Sequence, residues 1–163
     1  MVDGRFMSFE SRNHELIKYC NDTFDVVFMS TGTSTMSEVQ ESVMLLNNAR
    51  LYLMHCVSSY PCNPSIANIQ RMVRMQNINP LASECVYGVG YSDHIQGVES
   101  AKVAIGFGAQ VIEKHFTTDN DLRELKDLSD YINLREEMLI DLGPDYQECE
   151  SDSRENYTGR FNG

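Results

Sequence analysis

Positive charge is scarce in this sequence. Its 163 residues include 13 lysines and arginines against 24 aspartates and glutamates, which gives a formal net charge of −11. A protein that grips the phosphate backbone of a nucleic acid needs a basic face, and an acidic chain is also repelled by anionic membrane surfaces. The composition therefore disfavours nucleic acids and membranes as partners and favours small molecules or other proteins.

Long apolar runs are also missing. The run at residues 26–29 is typical of the longest ones, whereas a helix that spans a bilayer needs about 20 apolar residues. The sequence therefore predicts no transmembrane segment. The first five residues lack the basic and then apolar layout of a secretion signal, which predicts a cytoplasmic location.

Paired cysteine motifs are absent as well. The 5 cysteines are odd in number, and no two of them form a C-x-x-C pair. A disulfide framework and a zinc knuckle are therefore both disfavoured, and reduced thiols are expected. These residues are Cys20, Cys56, Cys62, Cys85 and Cys149.

What the sequence does contain is a regular alternation of short apolar runs and segments of helical period. The runs predict strands at residues 5–9, 26–30, 51–57, 86–91 and 110–116. Between the runs, Thr35 and Glu38 form a capping box that starts one helix. Apolar stripes mark three further helices, at Ile66, Ile69 and Val73, at Val98, Ala101 and Ala104, and at Leu122, Leu125, Leu128, Ile132 and Leu139.

This order predicts an α/β fold with a parallel sheet, because each helical crossover returns the chain to the same edge. Two closures stay open. A doubly wound sheet would close within this length, whereas a (β/α)8 barrel of the TIM type takes about 250 residues, so that only about half of one would be present. Residues 1–144 would form this domain, and residues 145–163 an acidic tail or linker.

Polar residues cluster where the predicted strands end, which is where α/β proteins build their sites. Side chains two apart on a strand share a face, which pairs Ser58 with Tyr60, Ser92 with His94 and Glu113 with His115. Two imidazoles on successive strands suit a divalent transition metal, although hydrogen-bonded structural histidines are the simpler alternative. The hydroxyls of Ser30, Ser58 and Ser92 are of the kind that bind phosphate or carboxylate oxygens.

Other reactive side chains have simpler interpretations. His55 lies within a predicted strand, and we expect it to be a buried, hydrogen-bonded histidine. Cys56 is its neighbour in the chain and points to the opposite face, so the two cannot share a proton easily. We therefore expect Cys56 to be a buried and unreactive thiol.

The strand-end motifs together resemble the N-acetylneuraminate (sialic acid) synthase family, in order and spacing, over residues 5–118. The four motifs are Phe28-Met29-Ser30-Thr31-Gly32, Leu53-Met54-His55-Cys56-Val57-Ser58-Ser59-Tyr60-Pro61, Val89-Gly90-Tyr91-Ser92-Asp93-His94 and Val111-Ile112-Glu113-Lys114-His115-Phe116. The resemblance implies the second half of a catalytic (β/α)8 barrel, from strand 4 or 5 to strand 8.

The same resemblance implies a phosphoenolpyruvate-dependent transferase that forms a carbon–carbon bond. Phosphoenolpyruvate would condense with N-acetylmannosamine or a related N-acyl hexosamine, giving a sialic acid and phosphate, with a divalent metal that is usually Mn2+. His94 and His115 resemble the metal ligands. Glu113 resembles a carboxylate that contacts sugar or metal-bound water, and Tyr60 a residue of the sugar pocket; both are candidate catalytic residues. Candidate substrate-binding residues are Arg5, Ser8, Ser30, Ser58 and Ser92.

Two alternatives follow from what the sequence does not match. A loop that usually covers the sugar is replaced by Thr117-Thr118-Asp119-Asn120-Asp121, and a half barrel would expose two strand edges. The chain would then need a second copy or the missing N-terminal half, or it would be a non-catalytic association module. A synthase for another nonulosonic acid, legionaminic or pseudaminic acid, is the other alternative.

Overall fold

The fold is taken from a computed structural model that describes residues 3–6, 11–78, 86–115, 122–141, 143, 147–151 and 155. Within these described ranges, five strands alternate with five α-helices. The strands are β1 (Asp3–Phe6), β2 (Val26–Ser30), β3 (Arg50–Cys56), β4 (Val86–Asp93) and β5 (Val111–Lys114). The helices are α1 (His14–Thr23), α2 (Met36–Val43), α3 (Arg71–Gln76), α4 (Glu99–Gly106) and α5 (Leu122–Met138).

All neighbouring strands pair in parallel, and their order in the sheet is the order of the chain, β1-β2-β3-β4-β5. A doubly wound sheet reverses its strand order at a switch point, and these five strands show no such reversal. Consecutive βα units in unbroken order are the building pattern of a (β/α)8 barrel. The expected partial barrel is therefore the fold of the described strands.

One face of the sheet is covered by helices and forms the core. Alternate strand residues point to this face because successive side chains in a strand lie on opposite sides. The fully buried strand residues of the core include Val27, Met29, Leu51, Leu53 and Val89, which pack with helix residues such as Ile17, Val39, Val43, Met72 and Met75. We call this the outer face, since helices surround the sheet in a barrel. The opposite, inner face carries Phe28 and Tyr52, whose rings stack with centroids 5.2 Å apart.

The predicted helix starts and stripes are only partly right. The capping box at Thr35 is confirmed, with Glu38 N–H donating to Thr35 Oγ1 at 3.2 Å and Thr35 N–H donating to Glu38 Oε2 at 2.7 Å. The predicted stripe before β4 is right for Ile69, which packs against the core, and wrong for Ile66 and Val73, which are exposed. There a short 3-10 turn precedes α3, which shifts the helical phase so that Met72 and Met75 are buried instead.

Helix α5 also differs from its predicted stripe. Among its described residues only Leu128 is buried, in a small cluster with Val98, Ala101 and Ile105. Leu122, Leu125 and Ile132 are exposed. The packing of α5 against α4 and β5 through this small cluster buries one position of the helix, and its other apolar residues stay at the surface.

The chain divides into two compact units, Met1–Tyr131 and Ile132–Gly163. The first contains the sheet and helices α1 to α4. The described part of the second contains the end of α5 and a short 3-10 helix at Glu148–Glu150. The expected boundary at residue 144 stays a prediction. Within the described ranges, no helix combines the length and the apolar character that crossing a membrane requires.

Candidate functional site

Two histidines lie side by side at the carboxyl ends of neighbouring strands. His94 directly follows β4 and His115 directly follows β5, and the last residues of these strands, Asp93 and Lys114, are partners in the ladder. The ring centroids of His94 and His115 are 5.5 Å apart, and the ring planes are tilted by 50°. The structure therefore brings the two predicted ligands together. Their role as ligands stays a prediction.

The ring of His94 is oriented by the neighbouring strand. Its Nδ1–H donates to the backbone carbonyl of Val57, just beyond β3, at 2.8 Å. Its own carbonyl accepts the N–H of Cys62 at 2.9 Å. Burial is the main effect that lowers the pKa of His94, so the neutral ring is favoured. A neutral imidazole with its proton on Nδ1 has a free lone pair on Nε2, which is the form that binds metals.

Tyr60 lies against both histidines. Its ring centroid is 3.9 Å from that of His94 and 5.6 Å from that of His115. The sequence analysis paired Tyr60 with Ser58 by strand alternation, but β3 ends at Cys56, so both residues lie in the following loop. The phenol is 61% exposed, and it is therefore well placed to contact a molecule bound at the histidines.

A line of hydroxyl and carboxylate groups runs along the inner face below the histidines. Ser92 Oγ donates to Glu113 Oε2 at 2.8 Å. Ser92 and Glu113 are partners in the β4–β5 ladder, and Ser92 Oγ also lies 3.4 Å from Ser30 Oγ at the end of β2. The structure therefore brings three predicted site residues from three strands into one hydrogen-bonded chain.

The structure gives no contact between the remaining predicted residues and the two histidines among the residues that it describes. Ser58 is exposed, with its Oγ 4.0 Å from Cys56 Sγ. Arg5 is part of β1 and pairs with Phe28 in the ladder, but the position of its side chain is outside what the structure describes. Ser8 lies outside the described residues altogether. The substrate-binding roles of these residues stay predictions.

The expectation of a buried Cys56 fits the structure, and that of a buried, hydrogen-bonded His55 fits for one ring nitrogen: among the described residues, His55 Nδ1 is buried without a hydrogen-bond partner. His55 is buried on the outer face, where its Nε2–H donates to the carbonyl of Ala67 at 2.7 Å. Cys56 is buried on the inner face, and burial is the main effect that raises the pKa of its thiol. A raised pKa disfavours the reactive thiolate. Sequence reasoning missed that Cys56 Sγ lies 3.9 Å from His94 Nδ1.

The sequence analysis also missed an ion pair between Asp93 and Lys114 on the outer face of the same strand ends. Asp93 Oδ2 and Lys114 Nζ are 3.0 Å apart, and the side chains are 0% and 10% exposed. A signal was present in the sequence, since each residue immediately precedes one of the two histidines. Opposite charges at matching positions of neighbouring strands predict a cross-strand pair.

The two histidines and Tyr60 line a cavity of about 560 Å³, together with the Asp93–Lys114 ion pair. Ligand sites in proteins are concave and combine apolar walls with a few convergent polar groups. This cavity is lined by Tyr60, Pro61, Asp93, His94, Ile95, Gln96, Gly97, Lys114, His115 and Glu124. It is therefore large enough for a small molecule that reaches both imidazoles.

The donor set fits a divalent transition metal in part. Two imidazoles, one of them held as its Nδ1–H tautomer, are suitable nitrogen ligands. Within the described ranges no group of three or more histidines, cysteines, aspartates or glutamates is arranged to hold a metal ion.

Residues 5–142 match the NeuB family. The N,N'-diacetyllegionaminic acid synthase of Legionella pneumophila is 34% identical over 69% of this chain and 32% of its own length. The pseudaminic acid synthase of Helicobacter pylori is 33% identical over 73% of this chain and 34% of its own length. The chain thus spans about a third of these relatives.

A solved structure shows the same fold. The N-acetylneuraminic acid (sialic acid) synthetase of Leptospira borgpetersenii, in complex with citrate, superimposes with a TM-score of 0.79 at 27% sequence identity. The match covers 98% of this chain and 58% of that one. The described strands and helices therefore correspond to part of a synthase of this type.

Proposed function

The chain belongs to the NeuB family. We propose that the carboxyl ends of its strands carry metal-binding and substrate-binding residues of a synthase that condenses phosphoenolpyruvate with an N-acyl hexosamine. N-acetylmannosamine is the proposed sugar, and the product would be a sialic acid. The relatives named above make different nonulosonic acids, so a legionaminic or pseudaminic acid precursor is the alternative sugar. With either sugar, the site residues would have to bind phosphoenolpyruvate and the sugar and support the same condensation.

The observation that carries the proposal is the meeting of His94 and His115 at 5.5 Å between ring centroids, directly above the Ser30–Ser92–Glu113 chain. The two imidazoles would hold a divalent cation, proposed to be Mn2+. When bound, such a cation polarises a carbonyl oxygen and makes its carbon more electrophilic. The Val57 carbonyl supports this role because it fixes the proton of His94 on Nδ1.

The inner-face hydroxyls would bind the anionic substrate. Ser30 and Ser92 are both buried, and hydroxyl donors in a site with little water stabilise phosphate and carboxylate oxygens strongly. Glu113, which accepts from Ser92, would also accept a hydrogen bond from a sugar hydroxyl or a bound water. Arg5 and Ser8 are proposed to add contacts to the phosphate, and Ser58 to the substrate.

The proposed reaction balances as follows. The enol carbon of phosphoenolpyruvate uses the electrons of its double bond to form a bond to the aldehyde carbon of the open-chain sugar, and the aldehyde oxygen takes up a proton to become a hydroxyl. Water adds to the carbon that carries the phosphate oxygen and gives up a proton. The bond between that carbon and the phosphate oxygen then breaks, which leaves a keto group and inorganic phosphate. The chain's own residues orient these groups. Tyr60 would form a wall of the sugar pocket, because its exposed ring contacts both histidines.

Metal binding by the purified chain tests the proposal. We expect calorimetry to detect Mn2+ binding by the wild type. His94→Ala and His115→Ala should each weaken it by at least about tenfold, because each removes one of two protein ligands. His14→Ala is the matched control, since His14 is an exposed histidine on α1. Equal affinity in the wild type and the double variant would refute the metal site.

A non-catalytic association module is the second candidate. It is favoured by the sheet order, which places β1 and β5 at the two ends of the described sheet, where further strands can pair. Co-expression with the N-terminal half of the Legionella pneumophila relative distinguishes the synthase from the association module. The synthase proposal expects phosphate release from phosphoenolpyruvate and N-acetylmannosamine, or from that relative's sugar. A soluble complex without phosphate release would favour the association module.

A further inference from the structure

The buried pair of Asp93 and Lys114 lies directly behind the two histidines. Asp93 is the last residue of β4 and Lys114 the last residue of β5, and the two are partners at the end of the ladder. His94 and His115 come next in the chain and lie beyond the ladder. Backbone pairing of β4 with β5 therefore stops one residue short of the two rings.

Both members of the ion pair make further hydrogen bonds. Asp93 Oδ1 accepts the N–H of Ile95 at 3.0 Å, and Ser100 Oγ lies 2.9 and 2.8 Å from Oδ1 and Oδ2. Lys114 Nζ donates to Asp93 Oδ2 at 3.0 Å and to the carbonyl of Ile95 at 2.6 Å. Both residues are thereby fixed to the turn after β4 and to the start of α4.

General stability does not explain why charges are buried here. Removing two charges from water is costly, and apolar residues of similar volume often stabilise a core as well or better. A buried ion pair with several further hydrogen bonds does, however, define one geometry of the groups that it joins. The groups joined here are the backbones that lead directly into His94 and His115.

The two histidines differ in how else they are held. His94 is fixed by its hydrogen bonds to Val57 and Cys62. His115 is exposed and meets the rings of His94 and Tyr60. Among the described residues, Lys114 is the chain neighbour of His115 and the one that ties its backbone to β4.

We propose that the Asp93–Lys114 ion pair is a positioning device that sets the spacing of His94 and His115. The pair would act on the geometry of the two strand ends. Both side chains also border the cavity, so the spacing of the two rings is the measurement that separates positioning from a direct contact with a bound molecule. The pair's consequence for cation binding rests on the proposed function, whereas its effect on the ring spacing does not. Loss of the pair lets the end of β5 move away from β4 and separates the rings.

Lys114→Met removes the charge and keeps a side chain of similar length. In the metal-free wild type, NMR should show a nuclear Overhauser effect between the ring protons of His94 and His115, which the variant should lose or weaken severalfold. The affinity for Mn2+ should fall by about tenfold or more, which is the usual effect of losing a residue that orients a metal ligand. If Lys114→Met does not fold, the double variant Asp93→Asn with Lys114→Met leaves no unpaired buried charge. We expect the same loss of the Overhauser effect and the same weaker binding of Mn2+ in it.

Two controls separate positioning from general destabilisation. Lys102→Met removes the bridge between Lys102 Nζ and Asp127 Oδ2, which joins α4 to α5. Val39→Ala opens a small cavity in the core at α2 and lowers stability without touching the strand ends. Both should keep the wild-type nuclear Overhauser effect between the two rings.

The outcomes for the two proposals are distinct. The positioning role is overturned if a folded Lys114→Met or double variant keeps the wild-type Overhauser intensity, whatever its affinity for Mn2+. The metal role of the histidines fails if the wild type binds no Mn2+, or if His94→Ala with His115→Ala binds it equally well. In that case the Overhauser effect still decides the positioning role.

Discussion

Asp93 and Glu113 are carboxylates on neighbouring strands, at nearly the same height, but on opposite faces of the sheet. The Asp93 side chain is 0% exposed and is paired with Lys114. Glu113 is half-buried on the inner face and accepts a hydrogen bond from Ser92. The Asp93 carboxylate is thus surrounded by an ammonium group and backbone, whereas the Glu113 carboxylate faces serine hydroxyls.

The comparison shows how strand alternation separates two tasks. Residues 92 and 113 share the inner face, and residues 93 and 114 share the outer face, because the period of a strand is two. Asp93 and Lys114 also border the cavity, but their hydrogen bonds go to each other, to Ile95 and to Ser100, which favours a role in the geometry of the strand ends. Substitutions on the outer face should change stability and spacing, and substitutions on the inner face should change function.

The largest effect on stability is expected for Asp93→Ala. The change leaves the ammonium group of Lys114, which is 10% exposed, without its charged partner. Breaking a buried pair in this way costs about 3–5 kcal/mol of the free energy of unfolding. Urea denaturation followed by circular dichroism measures this loss.

Asp130→Ala is the control for that loss. Asp130 pairs with Lys126 on the surface of α5, where both side chains are more than half exposed, so its loss should cost less than about 1 kcal/mol. Equal losses in the two variants would mean that the outer-face pair is no more important than a surface bridge.

A smaller effect, dependent on pH, is expected from His55 on the outer face. Burial is the main effect that lowers the pKa of His55, so the folded protein keeps this ring neutral while the unfolded chain takes up a proton below pH 6.5 or so. The stability from His55 is therefore present above that pH and is lost as the pH falls towards the lowered pKa. The slope from one such group is at most about 1.4 kcal/mol per pH unit.

Urea denaturation between pH 7.5 and pH 5 checks this expectation. His55→Phe keeps an aromatic ring against Tyr91, with which His55 stacks at 5.7 Å between centroids, and removes the titrating group. We expect a shallower loss of stability on acidification in this variant. His14→Gln, at an exposed position of α1, should keep the wild-type slope; a wild-type slope in His55→Phe would contradict the interpretation.

Most of the fold could be predicted from the sequence because its signals are local. The capping box at Thr35 and the apolar runs of β2 and β3 depend on neighbours in the chain, and the structure has them within one or two residues of their predicted bounds. The stripe through Ile66 and Val73 failed because a 3-10 turn changes the helical phase, which periodicity alone does not reveal.

Strand alternation and the family resemblance predicted part of the candidate site. They predicted that His94 lies near His115, and Ser92 and Glu113 in one site, and the structure has both contacts. They did not reveal the loop geometry that places Tyr60 on both histidines, because β3 ends four residues earlier. The ring orientation of His94 depends on a carbonyl from another strand end, and such a long-range contact has no local signal.

The smallest effect on stability is expected for Glu113→Gln on the inner face. The amide oxygen can still accept from Ser92, and the half-buried site exchanges with water, so the free energy of unfolding should change by less than about 1 kcal/mol. Phosphate release by the complex with the co-expressed N-terminal half should nevertheless fall by about a hundredfold, which is the usual effect of losing a proton acceptor at a reacting site.

Glu41→Gln is the matched control, because Glu41 is an exposed carboxylate on α2 that accepts from Ser37, and it should leave both stability and phosphate release unchanged. Urea denaturation and a phosphate assay on the same preparations measure the two effects. A loss of stability at Glu113 as large as that at Asp93 would show that the two faces do not divide their tasks.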